Sequence, residues 1–315
     1  MLSADSKKDA WTVPADIMAL IPASTKRILN CVDGKLVVLR NLDVGDFFAG
    51  RGRIARVAEL VGLRPVALDR EYGSHLDLLT PEGLATAICS LLRIVPGGLL
   101  FMGPQCSSWV WMCRSQTKRS AANPYGNLEM PAVIDGNRLN EICALLCAIA
   151  SMLGVLWVIE QPGSSLFFHT KLMRTIINKE NAYQRHVPMS QFGHESQKST
   201  LLVGVADFLS DLGKERKQKI GIQSVAKVKN PKTKAKSAPR KKTKAQSVPR
   251  KKAAGKATAK AKAKTATSSH VKLAKVTTRG GKKQVTGNKV ALKNSQVYPV
   301  QFAVAVVRKH WPHLQ

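Results

Sequence analysis

Short apolar runs alternate with helical patterns between residues 44 and 206. Runs rich in Val, Ile, Leu and Phe that are separated by amphipathic stretches are typical of a mostly parallel sheet covered by helices. The pattern predicts strands at Val44–Phe48, Pro65–Asp69, His75–Leu78, Leu99–Gly103, Leu156–Glu160, His186–Phe192 and Thr200–Val205. We therefore expect an α/β domain.

Helix signals lie between the predicted strands and after them. From Asn137 to Leu153, apolar residues recur at alternating spacings of three and four, which places them on one stripe of a helix. Pro81 opens another helix, and the Thr80 hydroxyl can cap its first turn. An apolar helical face returns at Val297–Pro312, where we expect a last helix that packs on the sheet.

Positive charge is concentrated in one segment of the chain. The formal net charge is +30, and 27 of the 50 lysines and arginines lie between Lys214 and Lys293, together with one acidic residue. The segment has no aromatic residue and contains the related decapeptides KTKAKSAPRK and KTKAQSVPRK. Such a composition cannot bury enough apolar surface to offset chain entropy, so it predicts disorder.

These patterns predict three parts. Residues 1–43 form an N-terminal extension, residues 44–213 plus 294–315 form the α/β domain, and residues 214–293 form a disordered basic insertion. The first residues lack the apolar run of a signal peptide, and no apolar stretch is long enough to span a membrane. The six cysteines show no CxxC pair, and the spacing of Cys143 and Cys147 predicts buried side chains rather than a metal site. We expect an intracellular protein with reduced thiols.

The basic insertion predicts binding to DNA or RNA. Lysines and arginines in such a segment neutralise phosphates with a salt-sensitive affinity, but they cannot read base edges in a defined way. The alternatives are a solvated linker and a nuclear import signal, for which Pro239–Lys242 would serve, and import to the nucleus is compatible with nucleic-acid binding. The residues expected to contact nucleic acid are Lys232, Lys234, Arg240, Lys241, Lys242, Arg250, Lys251 and Lys252.

A glycine-rich turn after the first predicted strand indicates a nucleotide-like cofactor. Gly50 and Gly52 let the chain turn sharply and bring backbone amides close to a ligand at a helix start. Asp69 ends the next predicted strand, where a carboxylate can accept hydrogen bonds from a ribose diol. Together, these residues predict a cofactor site at one edge of the sheet.

The identity of the cofactor stays open from this turn alone. Gly50, Gly52 and Ala55 match the spacing G-x-G-x-x-A of a dinucleotide site, so both NAD and S-adenosylmethionine are compatible with it. Asp46 and Phe48 precede the glycines, and an acid at this position suits a cationic amino-acid ligand better than a pyrophosphate. These two residues therefore favour S-adenosylmethionine.

Four short motifs follow one another along the chain: Phe48-Ala49-Gly50-Arg51-Gly52, then Asp69, then Gly103-Pro104-Gln105-Cys106, then Glu160-Gln161-Pro162. Their order resembles that of the C-5 cytosine-specific DNA methyltransferases within the S-adenosylmethionine-dependent methyltransferase superfamily, which carry F-x-G-x-G, an acid, G-P-P-C and E-N-V. The resemblance covers about residues 44–206 and the last helix. It implies a Rossmann-like methyltransferase fold with a mostly parallel seven-stranded sheet, an antiparallel terminal hairpin and helices on both faces.

The resemblance also implies site residues and a chemistry. Cys106 would be the nucleophile that adds to carbon 6 of a cytosine, and Glu160 the acid that holds or protonates the ring nitrogen. The target base would have to be flipped out of a duplex or already be single-stranded. Asp77 falls where the family places a side chain near the adenine. The other residues of the implied cofactor site are Asp46, Phe48, Gly50, Gly52, Asp69 and Pro104.

The chain departs from the family pattern at Gln105, where the family has a second proline, and at Gln161-Pro162, where it has Asn-Val. These departures favour an alternative, a catalytically inactive binding protein that keeps the fold and coats nucleic acid. An NAD-dependent enzyme is a third hypothesis, supported by the glycine spacing. Among the aromatic residues after Cys106, Trp111 is expected to pack, whereas Trp109 could pack or stack on a base.

Overall fold

A computed structural model describes residues 10–29, 35–195, 197–212 and 297–312, and the backbone alone of 274–279 and 282–287. The helices are α1 (Ala15–Leu20), α2 (Ala23–Ile28), α3 (Arg53–Leu60), α4 (Pro81–Leu92), α5 (Arg114–Thr117), α6 (Pro131–Leu153), α7 (Lys171–Lys179) and α8 (Val300–His310). The strands are β1 (Ala10–Thr12), β2 (Val37–Leu39), β3 (Leu42–Phe47), β4 (Pro65–Leu68), β5 (Ile94–Met102), β6 (Leu156–Pro162), β7 (Tyr183–Pro188), β8 (Ser199–Gly204), β9 (Ala274–Arg279) and β10 (Lys282–Gly287).

The central sheet has six strands in the order β4-β3-β5-β6-β8-β7. Neighbouring strands from β4 to β6 are parallel, whereas β8 runs antiparallel to both β6 and β7. A small antiparallel sheet of β1 and β2 accompanies it. The predicted α/β architecture and the antiparallel pair at the far edge of the sheet are therefore confirmed, whereas the described residues give this sheet six strands instead of the predicted seven.

Helices cover both faces of this sheet. Along β5, Leu100 and Met102 belong to one buried cluster, whereas Leu99 and Phe101 belong to another. This alternation follows from the two-residue period of a strand. The first cluster contains apolar residues of α1, α4, α6 and α7, and the second contains those of α3 and α8.

The N-terminal part of the chain and the last helix both contribute to these clusters. Ile17 of α1 is buried in the first cluster, although residues 1–43 were predicted as an extension. Phe302 and Val306 of α8 are buried in the second cluster, and the Phe302 ring meets the Phe101 ring edge to face at 6.1 Å. The last helix thus packs on the sheet.

Helix α6 contains the predicted apolar stripe and begins earlier than expected. The extra turns include Gly136, which a sequence pattern does not favour inside a helix. A Cβ at this glycine would lie 2.5 Å from Ser108 Oγ, so only glycine lets the loop after β5 approach so closely. The helix ends before Gly154, whose φ of 68° is the left-handed conformation of a helix end.

The predicted strand at His75–Leu78 is wrong, because Ser74–Leu76 forms a 3₁₀ turn. Local hydrogen bonds replace strand pairing there, since Leu79 N donates to Asp77 Oδ1 at 3.0 Å and Thr80 Oγ1 donates to Asp77 O at 2.8 Å. Thr80 Oγ1 also accepts from Gly83 N at 3.0 Å, as expected for the cap of α4.

Strands β9 and β10 pair antiparallel within the segment 214–293 that was predicted to be disordered. The prediction differs from the structure here because Val and Thr have high β propensity. Val276-Thr277-Thr278 and Gln284-Val285-Thr286 flank Gly280-Gly281 in the sequence, a pattern that favours two paired strands. Cys31 and the residues predicted to contact nucleic acid, from Lys232 to Lys252, lie outside the described residues. Within the described ranges, no helix is both long enough and apolar enough to cross a bilayer.

Candidate active site

A pocket opens where the strand order of the sheet reverses. Strand β4 lies on one side of β3, whereas β5 and β6 lie on the other side. In open α/β sheets, ligands bind at the carboxyl ends of the strands around such a point. The pocket lies at the ends of β3, β4, β5 and β6. The predicted site residues that line it are Phe48, Gly50, Asp69, Asp77, Pro104, Cys106 and Glu160.

The glycine turn presents its backbone to this pocket. Gly50 has a φ of 56°, which favours glycine, and no atom lies within 4 Å of the position that a Cβ would take there. Gly50 N donates to Asp69 Oδ2 at 2.8 Å, so the turn is tied to the end of β4. A ligand can therefore approach the backbone at Gly50 closely.

Asp69 keeps part of its hydrogen-bonding capacity. Its Oδ1 accepts from Glu71 N at 2.8 Å, and its Oδ2 accepts from Gly50 N. Two carboxylate oxygens provide about four lone-pair directions, so lone pairs remain for a diol. The backbone contacts fix the orientation of the carboxylate.

Asp46 and Gly52 are not part of the pocket lining, in contrast to the sequence prediction. Asp46 is buried inside β3, where its Oδ2 accepts from Ala55 N at 3.1 Å in the first turn of α3. Burial raises the pKa of Asp46 to about 7. Gly52 precedes α3 with a φ of 60°, and a Cβ there would lie 2.9 Å from Tyr72 Oη. Asp46 and Gly52 therefore stabilise the glycine turn without facing the pocket.

Glu160 is a buried carboxylate with two side-chain partners. Tyr298 Oη donates to its Oε2 at 3.0 Å, and Lys198 Nζ lies 3.3 Å from its Oε1. The side chains of Lys198 and Glu160 are only 11% and 7% exposed. A buried charge is costly unless it is paired in this way. Burial and Glu160 raise the pKa of Tyr298, so its hydroxyl stays protonated and donates.

The thiol of Cys106 lies in the same pocket. Burial and the negative charge of Glu160 raise its pKa to about 11, and the positive charge of Lys198 opposes this shift. Cys106 is therefore a thiol at neutral pH in this structure. A nucleophilic role requires that the thiol lose its proton as it attacks.

The departures from the family motifs have structural roles. Gln161 Nε2 donates to Pro104 O at 2.7 Å, and Gln161 Oε1 accepts from Ser165 Oγ at 2.8 Å. Gln161 thus links the loop that carries Cys106 to the end of β6. Gln105 Nε2 donates to Ser107 Oγ at 3.0 Å on the surface of the same loop.

The two tryptophans after Cys106 lie in different environments, and Trp111 does not follow the prediction. Trp109 is fully buried, and the guanidinium of Arg119 lies 3.4 Å from its ring centroid. Trp111 is 46% exposed, so the prediction that it packs is wrong. The loop has no regular period, so sequence alone does not show which ring faces inward.

Tyr298 and Lys198 were not among the residues that the sequence predicted for the site. Tyr298 precedes α8 and lies 138 positions from Glu160, a separation that no local motif spans. It occupies space next to Gly103, where a Cβ would lie 2.5 Å from its Oη. A polar aromatic residue just before the last apolar helix is the only sequence signal for it.

No protein-family model matches the chain, and no curated protein matches it. The function is therefore argued from the pocket itself.

Proposed function

We propose that the chain is an S-adenosylmethionine-dependent methyltransferase that acts on nucleic acid, with carbon 5 of cytosine as the target atom. The observation that carries the proposal is the pocket that gathers Asp69, Cys106 and Glu160 at the carboxyl ends of the parallel strands β4, β5 and β6. A ribose-binding carboxylate, a thiol and a hydrogen-bonded acid are the groups that this reaction requires from a protein.

The residues present fit the cofactor. Asp69 has lone pairs for a ribose diol, and the open space beside Gly50 admits a ligand against the backbone. Asp77 and Phe48 also line this pocket, as expected for residues near an adenosyl group. When bound, S-adenosylmethionine supplies a methyl group on a sulfonium, which is open to attack by an electron-rich carbon.

Cys106 and Glu160 would act on the base. The Cys106 thiol would lose its proton to solvent and add to carbon 6 while Glu160 holds the ring nitrogen, so that carbon 5 becomes nucleophilic and takes the methyl group. Loss of the carbon 5 proton to solvent and expulsion of the Cys106 thiolate would then restore the ring. Tyr298 and Lys198 fix the orientation of the Glu160 carboxylate, and Lys198 also favours the thiolate of Cys106. Lys198 therefore stabilises negative charge on both groups.

Incubation of the protein with S-adenosylmethionine labelled in the methyl group tests the proposal. We expect label in mixed DNA or RNA oligonucleotides that contain cytosine, and none in matched oligonucleotides that lack it. Isothermal titration against S-adenosylhomocysteine and NAD checks the cofactor, with binding expected for the former alone. Binding of NAD without binding of S-adenosylhomocysteine would instead support the hypothesis of an NAD-dependent enzyme.

Replacement of Asp69 by alanine is expected to weaken S-adenosylhomocysteine binding by about 10- to 100-fold, because hydrogen bonds to a charged group contribute roughly 1.5–3 kcal/mol. Titration calorimetry measures the change. Asp43→Ala is the matched control, since Asp43 lies in the neighbouring strand β3 and pairs with Arg64 outside the pocket. Equal affinity of the Asp69 variant and the wild type would contradict the assignment.

Deletion of residues 214–293 is expected to leave S-adenosylhomocysteine affinity unchanged and to remove most of the salt dependence of nucleic-acid binding. The physical reason is that this segment holds 27 of the chain's 50 basic residues, and each neutralised phosphate releases counterions. Fluorescence anisotropy at several salt concentrations measures the slope. A slope that stays at the wild-type value counts against the predicted role of the segment.

A second candidate is a binding protein that keeps the cofactor pocket without methyl transfer. The observation that favours it is the Cys106 thiol, whose pKa near 11 leaves little thiolate at neutral pH. The labelled-methyl assay distinguishes the two candidates. A binding protein would bind S-adenosylhomocysteine and nucleic acid but would transfer no labelled methyl group.

A further inference from the structure

A groove separate from the candidate active site lies between a loop and a helix. One wall is the loop of residues 121–125, and the other is α7 from Lys171 to Asn178 with His169 before it. His169, Lys171 and Arg174 supply basic groups, and Asn123 supplies an amide. None of the described residues that line this groove is acidic. The composition suits an anionic ligand.

The groove lies at the same edge of the sheet as the pocket. The loop of residues 121–125 follows β5, and α7 follows β6. Strands β5 and β6 are parallel, so the connections that leave their carboxyl ends emerge at one edge. Cys106 and Glu160 belong to that same edge.

Hydrogen bonds connect the groove to the loop that carries Cys106. Buried Arg119 stacks on Trp109 and donates to Pro124 O at 2.6 Å, in the wall of the groove. Trp109 N in turn donates to Cys106 O at 3.0 Å, and Leu166 N donates to Trp109 O at 3.1 Å. The wall of the groove is therefore connected to the backbone of Cys106 through Arg119 and Trp109.

The charged side chains that line the groove are basic. Arg174 Nη2 lies 3.2 Å from His169 Nδ1, and the charges of Arg174 and Arg114 add to burial in lowering the pKa of His169. Lys171 and Arg174 are exposed, so both side chains can reach a ligand from the surface. Lys171 and Arg174 lie three positions apart in α7, so both side chains are on one side of the helix, and this arrangement suits an extended anion better than a small one.

We propose that this groove binds the phosphate backbone of the polynucleotide whose base enters the Cys106 pocket. The inference rests on the proposed nucleic-acid substrate and adds a contact surface within the folded domain. Lys171 and Arg174 contact phosphates, and exposed Tyr125 lies beside them at the rim. Such contacts position a strand without reading its sequence.

The test compares two full-length double variants. Lys171→Ala/Arg174→Ala removes two charges from the groove. Lys179→Ala/Arg308→Ala removes the same charge from the last turns of α7 and α8, outside the groove and the pocket. Binding of a fluorescein-labelled single-stranded 20-mer is measured by anisotropy between 50 and 300 mM salt, and S-adenosylhomocysteine titration verifies that each variant keeps its pocket.

We expect the plot of log affinity against log salt to lose about 1.4 in slope for the groove variant, because each phosphate contact on a single strand contributes about 0.7. The control variant should keep the wild-type slope. A groove variant that behaves like the control overturns the proposal. So does an equal loss of affinity for polyglutamate, which would assign the groove to acidic polypeptides.

The outcomes separate this inference from the proposed enzyme. A reduced slope in a protein that transfers no label supports the groove and contradicts the methyltransferase. Label transfer with an unchanged slope and unchanged KM for the oligonucleotide supports the methyltransferase and overturns the groove.

Discussion

Replacement of Cys106 by serine is expected to lower methyl transfer to nucleic acid by on the order of 10³-fold or more, while S-adenosylhomocysteine affinity stays within about twofold. A serine hydroxyl ionises far less readily than a thiol and is a weaker nucleophile. The buried site beside Glu160 adds to this difference, since it disfavours any new negative charge. The labelled-methyl assay measures the rate.

Cys113→Ser is the matched control, because Cys113 lies in the same loop but not in the pocket lining. It should transfer methyl groups at the wild-type rate. The wild-type rate should also rise about tenfold per pH unit well below the Cys106 pKa of about 11, because the thiolate fraction rises in that proportion. Full activity of the Cys106 variant would exclude covalent catalysis by this thiol.

Replacement of Asp46 by asparagine is expected to stabilise the fold at pH 8 and to have little effect near pH 4. The folded-state pKa of Asp46 is about 7, raised from 3.8 by burial. The neutral Asp46 carboxyl makes its full contribution to the free energy of unfolding below pH 3.8, and this contribution is lost as the pH rises through 7. At 1.36 kcal/mol per pKa unit, the free energy of unfolding falls by about 4 kcal/mol.

Asparagine avoids this loss, because it stays neutral and its oxygen can still accept from Ala55 N. Chemical denaturation at several pH values gives the free energy of unfolding. Asp43→Asn is the control with the opposite sign, since Arg64 holds the pKa of Asp43 below its usual value. An Asp46 variant that is less stable than wild type at pH 8 would show that the helix start holds this carboxylate ionised.

The sequence was sufficient to predict that the strand-end residues of the candidate site share one pocket, because each position is set locally. Gly50, Asp69 and Cys106 each follow an apolar run directly, and parallel strands bring their carboxyl ends to one edge whatever the distance along the chain. The prediction that Asp46 lines the cofactor site failed for a reason that is not local. Its position near a strand end was clear, but the direction of its side chain depends on how α3 packs behind the sheet.

Long-range contacts and irregular loops were the parts that the sequence did not reveal. Tyr298 reaches Glu160 only because α8 packs across the second face of the sheet, far from Glu160 in sequence. Trp109 and Trp111 lie in a loop without a repeating period, so the inward side could not be assigned. The strand predicted at His75–Leu78 failed because the hydrogen bonds of Asp77 and Thr80 favour a turn.

The position of Tyr298 after the basic segment links the order of synthesis to the order of assembly. A ribosome makes Glu160 and Cys106 first, then the whole run of lysines, and only afterwards the tyrosine whose hydroxyl contacts Glu160. Until then the apolar ring of Phe101 lacks its neighbour Phe302, and the Glu160 carboxylate lacks one of its two partners. A nascent chain can therefore expose its polycation before the contacts around Glu160 are complete.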